Sequence, residues 1–567
     1  MPEINKFEDL VYKRPNIEEL KNNYTNLTTK FKSTNSLEEQ NSLVAEWNSL
    51  KSVFDMAENL AMIKYDINTA DEDSKTEQNF IDHNKPLFSE LNKKFSTELL
   101  NSPFRKDLEQ KWGKQIFRYL EAESQTVSSE VTELIQKENA LKVEYSSLKA
   151  SAEIKFDGKV YNLSSIGAFT QAKDAATRKK AHQAKWKFFN DNSEQFDRIY
   201  DDLVKVRTEI AHKLGFENFI ELGYKRLHRT DYNPAKVEIF RKGVIEFAVP
   251  LAKKLREIQK DNLQLDTLTF SDESIQFLSG NPTPKGEHDW IVEQAQKMYN
   301  ELSPETSAFF NMMVERNLMN LKTLPKKAGG GFCTRLIDER VPFIFANFNG
   351  TDHDVTVLTH EAGHAFQAFS AMQNEELIDY SFPTMEAAEI HSMSMEFITW
   401  DWMKYFFKED TQKFKLLHII GSIFFYCYGT AVDEFQHIIY SEPNLTPQER
   451  KQKWQEMEAK YLPWRKYEEM PFVENGGVWQ SQGHIYSTPF YYIDYVLAQT
   501  CALQFWKKSQ ENMESAFEDY KRLCKAGGSK SFLELVELAN LESPFNEGCL
   551  EKIVTEAESW LKSQDYL

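Results

Sequence analysis

The first 150 residues of the chain contain a single glycine, Gly113, although glycine is the residue that most readily ends helices and forms tight turns. Apolar residues in this stretch recur every three or four positions, as in IEELKNNYTNLTTKFKS and KDLEQKWGKQIFRYLEAE. That spacing places them on one face of an α-helix. The pattern resumes over residues 164–262 and again after residue 360. The sequence therefore predicts a mainly α-helical protein.

The chain length of 567 residues exceeds what one compact core usually holds. The length predicts two lobes, or one very large helical unit with a cleft. Apolar residues make up 41% of the chain and aromatic residues 13%, which is enough for a packed core and disfavours a disordered chain. The apolar spacing of the N-terminal helices is too irregular for sustained heptads, so a coiled coil is not favoured.

The chain carries a formal net charge of −19. An acidic surface repels phosphate backbones, so we expect no nucleic-acid partner. The five cysteines are scattered and form no C-x-x-C pair, a usage typical of reduced thiols in a cytoplasm. The N-terminal residues lack the apolar segment of a secretory signal. We therefore predict a cytoplasmic protein.

An uncharged stretch runs from Leu416 to Val432 and contains His418, Gly421 and Ser422. A membrane span usually needs about 20 predominantly apolar residues, and this stretch is shorter and interrupted. The sequence predicts a buried helix here, and no membrane association.

Residues 341–348 read VPFIFANF, which is apolar and rich in strand-forming residues. They predict one strand of a small sheet, and Pro342 favours an edge position because proline cannot donate to a neighbouring strand. Three glycines at positions 329–331 precede the strand and predict a flexible or tightly turned loop. A phosphate-binding role for this loop is not favoured, because no G-x-x-x-x-G-K-S/T pattern surrounds it.

His360 and His364 lie four residues apart in the sequence THEAGHAFQ, which follows this strand. On a helix, that spacing puts both imidazoles on one face, about one turn apart. Two neutral imidazoles so placed can bind one Zn²⁺, and Glu361 beside them can activate a water molecule. The alternative is a helix with two metal-free core histidines. Gly363 costs about 1 kcal/mol of helix propensity relative to alanine, which indicates that packing or the site requires a small residue.

A catalytic zinc needs a third protein ligand and an open position. The extended H-E-x-x-H-x-x-G-x-x-H pattern would require histidine at position 370, which is Ser370. A closely spaced glutamate would fall near Pro383 or Thr384. Neither pattern therefore supplies the ligand.

The next possible ligands lie on one predicted helix that begins after Pro383, and they are Glu386, Glu389, His391 and Glu396. We favour Glu389, which follows His364 by 25 residues. Glu396 lies two turns further along the same face, where it can hydrogen-bond to a ligand histidine. The apolar flanks of this helix predict that it is buried, and a buried carboxylate requires a partner such as a metal.

The segment GHIYSTPFYYIDY, residues 483–495, is dense in hydrogen-bond donors. Attack of water on a peptide carbonyl creates an oxyanion, which preorganised donors stabilise. We predict that His484, Tyr492 and Tyr495 supply these donors; the alternative is an ordinary aromatic core. The strand from Phe343 to Phe348 has a possible second role, because an exposed edge can bind an extended peptide through its backbone and with broad specificity.

Six segments together resemble the thimet-oligopeptidase family of zinc metallopeptidases, and most closely its oligoendopeptidase F and Pz-peptidase branch. They are GFENFIELGYKRLHRTDY (215–232), GGGFCT (329–334), PFIFANFNGTDHDV (342–355), THEAGHAFQ (359–367), EAAEIHSMSMEF (386–397) and GHIYSTPFYYIDY (483–495). The resemblance covers the C-terminal two-thirds of the chain, and the N-terminal helices match in character alone.

The resemblance implies site residues. It implies one Zn²⁺ per chain, held by His360, His364 and Glu389, with Glu361 as general base. His484 and one or more of Tyr486, Tyr492 and Tyr495 would stabilise the transition state. Substrate contacts are predicted for the strand and the glycine loop as well as one tyrosine, namely Phe345, Ala346, Asn347, Gly330 and Tyr486. His391 would contact substrate or merely pack.

The resemblance also implies a two-lobed helical metallopeptidase with a deep substrate channel and a small β-sheet beside the zinc helix. We expect an N-terminal helical lobe over residues 1–190 and a catalytic region over residues 191–567 that contributes to both lobes. The implied activity is cleavage of internal bonds in short, unstructured oligopeptides. The sequence leaves the oligomeric state and the physiological substrate open.

Two alternatives remain at this point. A related exopeptidase would need a cation for the terminal carboxylate of its substrate. Arg335 and Arg340 are near the histidine motif in sequence and are the candidates for that role. A non-catalytic peptide-binding protein is the second alternative, and the intact set of predicted ligands together with Glu361 disfavours it.

Overall fold

The structure is a computed structural model of the chain and describes residues 5–567, with the side chain of Ser129 left aside. Helices dominate it, and the strands are short and confined to two small sheets. The prediction of a mainly α-helical fold with a small sheet beside the histidine helix is therefore confirmed.

The N-terminal half of the described chain contains helices that are long in the first hundred residues and shorter afterwards. They are α1 (Ile17–Ser33), α2 (Leu37–Ile67), α3 (Glu72–Leu100), α4 (Arg105–Trp112), α5 (Lys114–Ser124), α6 (Thr132–Ala150), α7 (Gly167–Thr170), α8 (Ala175–Asp191), α9 (Ser193–Lys213), α10 (Phe219–Arg226), α11 (Pro234–Gly243), α12 (Val249–Asn262), α13 (His288–Leu302) and α14 (Pro304–Glu315). A hairpin of β1 (Ile154–Phe156) and β2 (Lys159–Tyr161) follows α6.

The second half begins with three strands, β3 (Met319–Lys322), β4 (Phe332–Leu336) and β5 (Val341–Phe348). The helices that follow are α15 (His353–Asn374), α16 (Met385–Ile398), α17 (Met403–Phe407), α18 (Thr411–Ser441), α19 (Pro447–Tyr461), α20 (Pro471–Glu474), α21 (Gly483–Ser487), α22 (Tyr492–Glu511), α23 (Met513–Ala526), α24 (Phe532–Leu538) and α25 (Cys549–Ser563).

The chain divides into two compact units, each built from three separate segments. The first unit comprises Met1–Ser124, Pro284–Phe406 and Lys508–Asn540. The second comprises Gln125–Thr283, Phe407–Lys507 and Leu541–Leu567. The boundary expected after residue 190 stays a prediction, as does the substrate channel.

Tyr380 ties together the three segments of the first unit. Its hydroxyl donates to the Trp112 carbonyl at 2.8 Å and accepts from the Ile116 N–H at 2.9 Å. Its own carbonyl accepts from the N–H of Gly528 at 2.8 Å. The C-terminal segment also packs α23 against α15, where Phe366 lies beside Tyr520. The helix with the histidine motif therefore packs against the third segment of the unit, and Tyr380, shortly after that helix, contacts the first and third segments.

The three-stranded sheet of the first unit has the order β3-β5-β4, with β5 parallel to β3 and antiparallel to β4. The prediction that β5 lies at an edge is wrong, because it is the central strand. Pro342 is tolerated there because β3 pairs with β5 from Ile344 onward. The Ile344 N–H points toward β3 and donates to the Leu318 carbonyl. Pro342 lies two residues earlier, so its nitrogen points to the same side, at a position where β3 has not yet begun.

The second unit is organised around α18, which is buried over most of its length and contains the stretch Leu416–Val432. A helical run over Met385–Ser441 is long and apolar enough to cross a membrane by length and composition, and 67% of its most apolar window is buried in the structure. Buried core helices satisfy the same criterion.

Candidate metal centre

Helices α15 and α16 of the first unit approach each other closely at Gly363. A Cβ atom at this position would lie 2.6 Å from the carbonyl oxygen of His391 and 2.7 Å from Cα of Ser392. Both are backbone atoms of α16, which cannot move aside as a flexible side chain could. Gly363 therefore sets the distance between the two helices, and the expectation that the motif requires a small residue is confirmed.

Three donor atoms converge across this helix pair. Glu389 Oε2 lies 3.3 Å from His360 Nε2 and 3.5 Å from His364 Nε2. All three donor atoms lie within 4.8 Å of one another. Three ligands about 2.1 Å from a tetrahedral metal are about 3.4 Å apart, so the observed spacing fits one ion. The two-imidazole, one-carboxylate set is typical of catalytic zinc sites, which keep a further position open.

His360 is oriented by a second carboxylate from α16. Its Nδ1 donates to Glu396 Oε1 at 2.7 Å, so the lone pair for a metal lies on Nε2. Burial alone would lower the pKa of His360, but the hydrogen bonds to Glu389 and Glu396 outweigh burial and raise it. Burial likewise opposes ionisation of Glu389, whereas the two histidines hold its pKa well below the usual range. The sequence placed Glu396 in this role.

Glu361 is 7% exposed and lies beside the two histidines. Its Oε2 has no hydrogen-bond partner among residues 5–567, and burial raises the pKa of its carboxyl group. A cation on the neighbouring ligands would lower that pKa again. Gly331 also lies here, because a Cβ at that position would be 3.5 Å from Glu361 Oε1. A buried carboxylate with one uncommitted oxygen is suited to proton transfer.

The other possible ligands on α16 do not join the cluster. Glu386 and His391 are both buried but lie outside the group of converging donors. His391 Nδ1 is 2.7 Å from the Ala387 carbonyl, and burial lowers the pKa of His391 to about 4. Its own carbonyl accepts from Tyr520 at 2.8 Å. His391 therefore packs in the core of the first unit.

The residues predicted to bind substrate on β5 are mostly engaged within the sheet. Phe345 is paired on both sides, with Asn320 and with Phe332, and its side chain is buried, as is that of Ala346. The amide of Asn347 donates to the carbonyl of Gly330 at 2.8 Å. Asn347 thus fixes the glycine loop that leads into β4, which is an edge strand. An added strand could pair with the backbone of β4, which has a neighbour on one side only. It could not pair with Phe345, whose backbone is paired on both sides.

The predicted oxyanion donors lie together in the second unit. His484, Tyr492 and Tyr495 are each partly exposed, and the Tyr495 hydroxyl lies 3.5 Å from His484 Nε2. The ring of Tyr492 is 5.2 Å from that of His484. Tyr486 differs, because it is fully buried and its hydroxyl donates to the Phe196 carbonyl at 3.2 Å. This placement disfavours a substrate contact for Tyr486.

The start of α22, which carries the two partly exposed tyrosines, is fixed by a turn at Phe490. Phe490 has a positive φ of 68° and is buried. Its carbonyl accepts from Arg229 at 2.6 Å, and its ring leaves no space for a Cβ at Gly223. The 215–232 segment of the resemblance therefore positions α22.

Sequence reasoning missed Gln482 and Tyr428, which contact this cluster. Gln482 Nε2 lies 2.8 Å from His484 Nδ1, and the Tyr428 hydroxyl donates to Gln482 Oε1 at 3.1 Å. An amide two residues before a candidate catalytic histidine was the available signal for Gln482. Tyr428 is distant in sequence, so no local pattern indicates it.

The two arginines considered for an exopeptidase are engaged elsewhere. The Arg335 guanidinium pairs with Asp55 at 2.5 Å and donates to Ser381. Arg340 donates to the backbone carbonyl of Met372. These contacts hold both guanidinium groups on partners other than the donors of the metal cluster.

Residues 7–127 match the Peptidase M3 N-terminal domain, and residues 291–555 match Peptidase family M3. An oligoendopeptidase F homolog of Borreliella burgdorferi is 28% identical over 212 residues, 35% of this chain and 34% of the relative. The chromosomal oligoendopeptidase F of Lactococcus lactis subsp. cremoris is 21% identical over 388 residues, 66% of this chain and 62% of that protein. The matches thus span about a third to three-fifths of these relatives.

A solved structure of Pz peptidase A with an inhibitor covers nearly the whole chain. The identity is 50%, the TM-score is 0.96, and the match includes 99% of this chain and 100% of that one. The resemblance inferred from the six sequence segments is confirmed by this structure and by the two family matches. This chain belongs to peptidase family M3.

Proposed function

We propose that this chain is a zinc-dependent endopeptidase that hydrolyses internal bonds of short, unstructured oligopeptides. The observation that carries the proposal is the convergence of His360 Nε2, His364 Nε2 and Glu389 Oε2 beside the buried Glu361. Membership of family M3 and the likeness to oligoendopeptidase F and Pz peptidase support the substrate class.

The donor set supports Zn²⁺, one per chain, in preference to harder cations. Two imidazoles and one carboxylate suit zinc, although Mn²⁺ and Co²⁺ accept the same ligands. Zn²⁺, when bound, supplies Lewis-acid polarisation of the scissile carbonyl and lowers the pKa of the attacking water. Glu396 keeps His360 in the tautomer that presents its Nε2 lone pair.

Glu361 acts as the general base in this proposal. Its carboxylate takes a proton from the attacking water and later delivers a proton to the leaving amine. Its burial and the uncommitted Oε2 support the role. We assign the donors for the developing oxyanion to His484, Tyr495 and Tyr492, which keep exposed surface and lie together.

Substrate binding through the backbone supports broad specificity. Strand β4 is an edge strand, and the glycine loop that leads into it passes close to Glu361. An extended peptide can add to such an edge by main-chain hydrogen bonds, which do not read side chains. The engagement of Arg335 and Arg340 in other contacts supports internal cleavage over trimming of a free carboxyl end.

The test is hydrolysis of an internally quenched peptide that is blocked at both ends. It is run with the protein as purified, after chelation, and after zinc is restored, and the product masses are read. The proposal predicts internal cleavage that chelation abolishes and zinc restores. Trimming of unblocked peptides alone would assign an exopeptidase, and zinc binding without any cleavage would assign a peptide-binding protein.

We also propose a cytoplasmic location. All five cysteines are free thiols in the structure, and the acidic composition supports a soluble protein without nucleic-acid partners. Cell fractionation with an antibody to the chain tests this, and recovery in the membrane or extracellular fraction would contradict it.

A further inference from the structure

Gln482 links His484 to Tyr428 within the second unit. Its Nε2 lies 2.8 Å from His484 Nδ1, and its Oε1 accepts from the Tyr428 hydroxyl at 3.1 Å. An amide nitrogen donates and does not accept, so Nδ1 of His484 must be the acceptor. The proton of the neutral imidazole therefore lies on Nε2.

In the structure the Tyr428 hydroxyl meets the oxygen end of the Gln482 amide, and the NH₂ group of that amide faces the histidine. If the amide were rotated by half a turn, its oxygen would face Nδ1 and its NH₂ group would face the tyrosine. Burial raises the pKa of Tyr428, so its hydroxyl keeps its proton, and in the structure this hydroxyl donates to Oε1. The tyrosine ring is held by edge contacts with Trp454, at 6.2 Å, and Tyr492, at 5.8 Å.

The other groups around His484 are compatible with a neutral imidazole. The Tyr495 hydroxyl is 3.5 Å from Nε2, and the rings of Tyr491 and Tyr492 are 5.4 and 5.2 Å away. Lys149 donates to the Ser481 carbonyl at 3.0 Å, close to the start of α21. Burial lowers the pKa of Lys149 to about 8, so this amine loses its positive charge at alkaline pH.

We propose that Gln482 and Tyr428 are positioning residues that hold His484 as its Nε2–H tautomer, so that Nε2 donates to the carbonyl oxygen of the scissile bond as negative charge develops there. The inference rests on the role of His484 in the proposed function. It adds that a neutral histidine performs this role, because the tautomer is set by hydrogen bonds and not by protonation. Activity then persists at pH values where a free histidine has lost its positive charge.

Gln482→Glu gives the sharpest test, because a carboxylate accepts from Nδ1–H and selects the opposite neutral tautomer. At low pH the imidazolium carries both protons and still donates from Nε2, so the variant should keep most of its activity. Above the pKa of His484 in the variant, kcat should fall by about 10²-fold, the effect of losing one oxyanion donor. Wild-type activity should show no such fall over the same range. Gln412→Met, at an exposed glutamine of α18, is the control.

A second readout does not depend on turnover. The ¹⁵N shifts of the His484 ring in zinc-loaded protein, assigned by comparison with His484→Gln, report which nitrogen carries the proton. We expect a protonated Nε2 in the wild type and a protonated Nδ1 in Gln482→Glu at alkaline pH. Tyr428→Phe keeps the ring and should give a mixture of both tautomers, so it serves if Gln482→Glu does not fold.

The outcomes separate this inference from the proposed function. Wild-type kcat in His484→Gln would remove His484 from the mechanism itself. The tautomer assignment would be overturned by a large loss of kcat in His484→Gln together with either of two results. One is a pH profile of Gln482→Glu that matches the wild type, and the other is a protonated Nδ1 of His484 in the wild type. Both results would leave the peptidase mechanism intact.

Discussion

The Glu396 carboxylate accepts a hydrogen bond from His360 Nδ1 at 2.7 Å, and it does so from the same helix that presents Glu389. One helix therefore supplies both a metal-ligand candidate and the group that orients another. Carboxylates in this position raise the basicity of the histidine and fix its ring.

The first prediction concerns this carboxylate. Glu396→Ala should weaken zinc binding by about 10- to 100-fold, because His360 loses the acceptor that fixes its tautomer. Glu396→Gln should cost less, since its amide oxygen still accepts from Nδ1. Competition with a chromophoric chelator measures the affinity, with the exposed Glu376→Gln as control. Wild-type zinc affinity in Glu396→Ala would remove Glu396 from the site.

The second prediction concerns the contact between α15 and α16. Gly363→Ala places a methyl group against the α16 backbone. Such overpacking typically lowers the free energy of unfolding by about 1–3 kcal/mol. Because the helices must separate, Glu389 should move from the histidines and zinc occupancy should fall. Denaturant unfolding and metal analysis measure both effects.

A matched control for Gly363 lies on α18. A Cβ at Gly421 would meet no atom within 4 Å, and the residue is exposed on its helix. Gly421→Ala should therefore stabilise the protein by about 0.5–1 kcal/mol through backbone entropy. Equal effects of the two substitutions would contradict the packing role of Gly363.

The third prediction concerns Glu361. Glu361→Gln preserves size but removes the base, and kcat should fall by about 10²–10⁴-fold, the contribution typical of general acid–base catalysis. Zinc content should stay at one ion per chain, because Glu361 is not among the three converging donors. Peptide hydrolysis and metal analysis on one preparation test this. Full activity in a zinc-loaded variant would exclude the proposed mechanism.

The fourth prediction concerns acid stability and His182 of the second unit. Burial, with Lys185 nearby, lowers the pKa of His182 to about 4 from its usual 6.5. The unfolded chain thus binds the proton more readily, so stability is complete above pH 6.5 and declines as pH falls from 6.5 toward 4. At about 1.4 kcal/mol per pKa unit, this amounts to at most about 3 kcal/mol.

Urea unfolding of His182→Gln across this range checks the fourth prediction. The variant should lose less stability between pH 6.5 and pH 4 than the wild type. His212→Gln, at an exposed position of α9, should follow the wild-type curve. A wild-type pH dependence in His182→Gln would show that other groups govern acid stability.

Features that depend on short sequence distances were predictable. The spacing of His360 and His364 places both side chains on one face of α15. The spacing of Glu389 and Glu396 likewise places both carboxylates on one face of α16. The pairing of these two helices required only that buried carboxylates find partners. Local periodicity and the cost of burying charge therefore place the third ligand on α16, but they do not separate Glu389 from the equally buried Glu386, which stays outside the cluster.

Features that depend on distant partners were not predictable. Strand β5 is central because β3 and β4 pair with it from both sides, and no property of VPFIFANF specifies those neighbours. Pro342 favours an edge position because it lacks a donor, but it faces the β3 side at a point before β3 begins. The Tyr428–Gln482 link is similarly non-local. The role of Gly363 was only partly accessible, since its close neighbours belong to another helix.

The assembly of the first unit from three segments has a consequence during synthesis. Helix α15 is complete at Asn374, but α23, which packs against it, begins at Met513. At a ribosomal rate of about 5–20 residues per second, roughly 7–28 seconds separate them. The α15–α16 pair that would bind the metal thus emerges long before the helix that buries it. The first unit therefore cannot complete its core until its third segment, Lys508–Asn540, has left the ribosome.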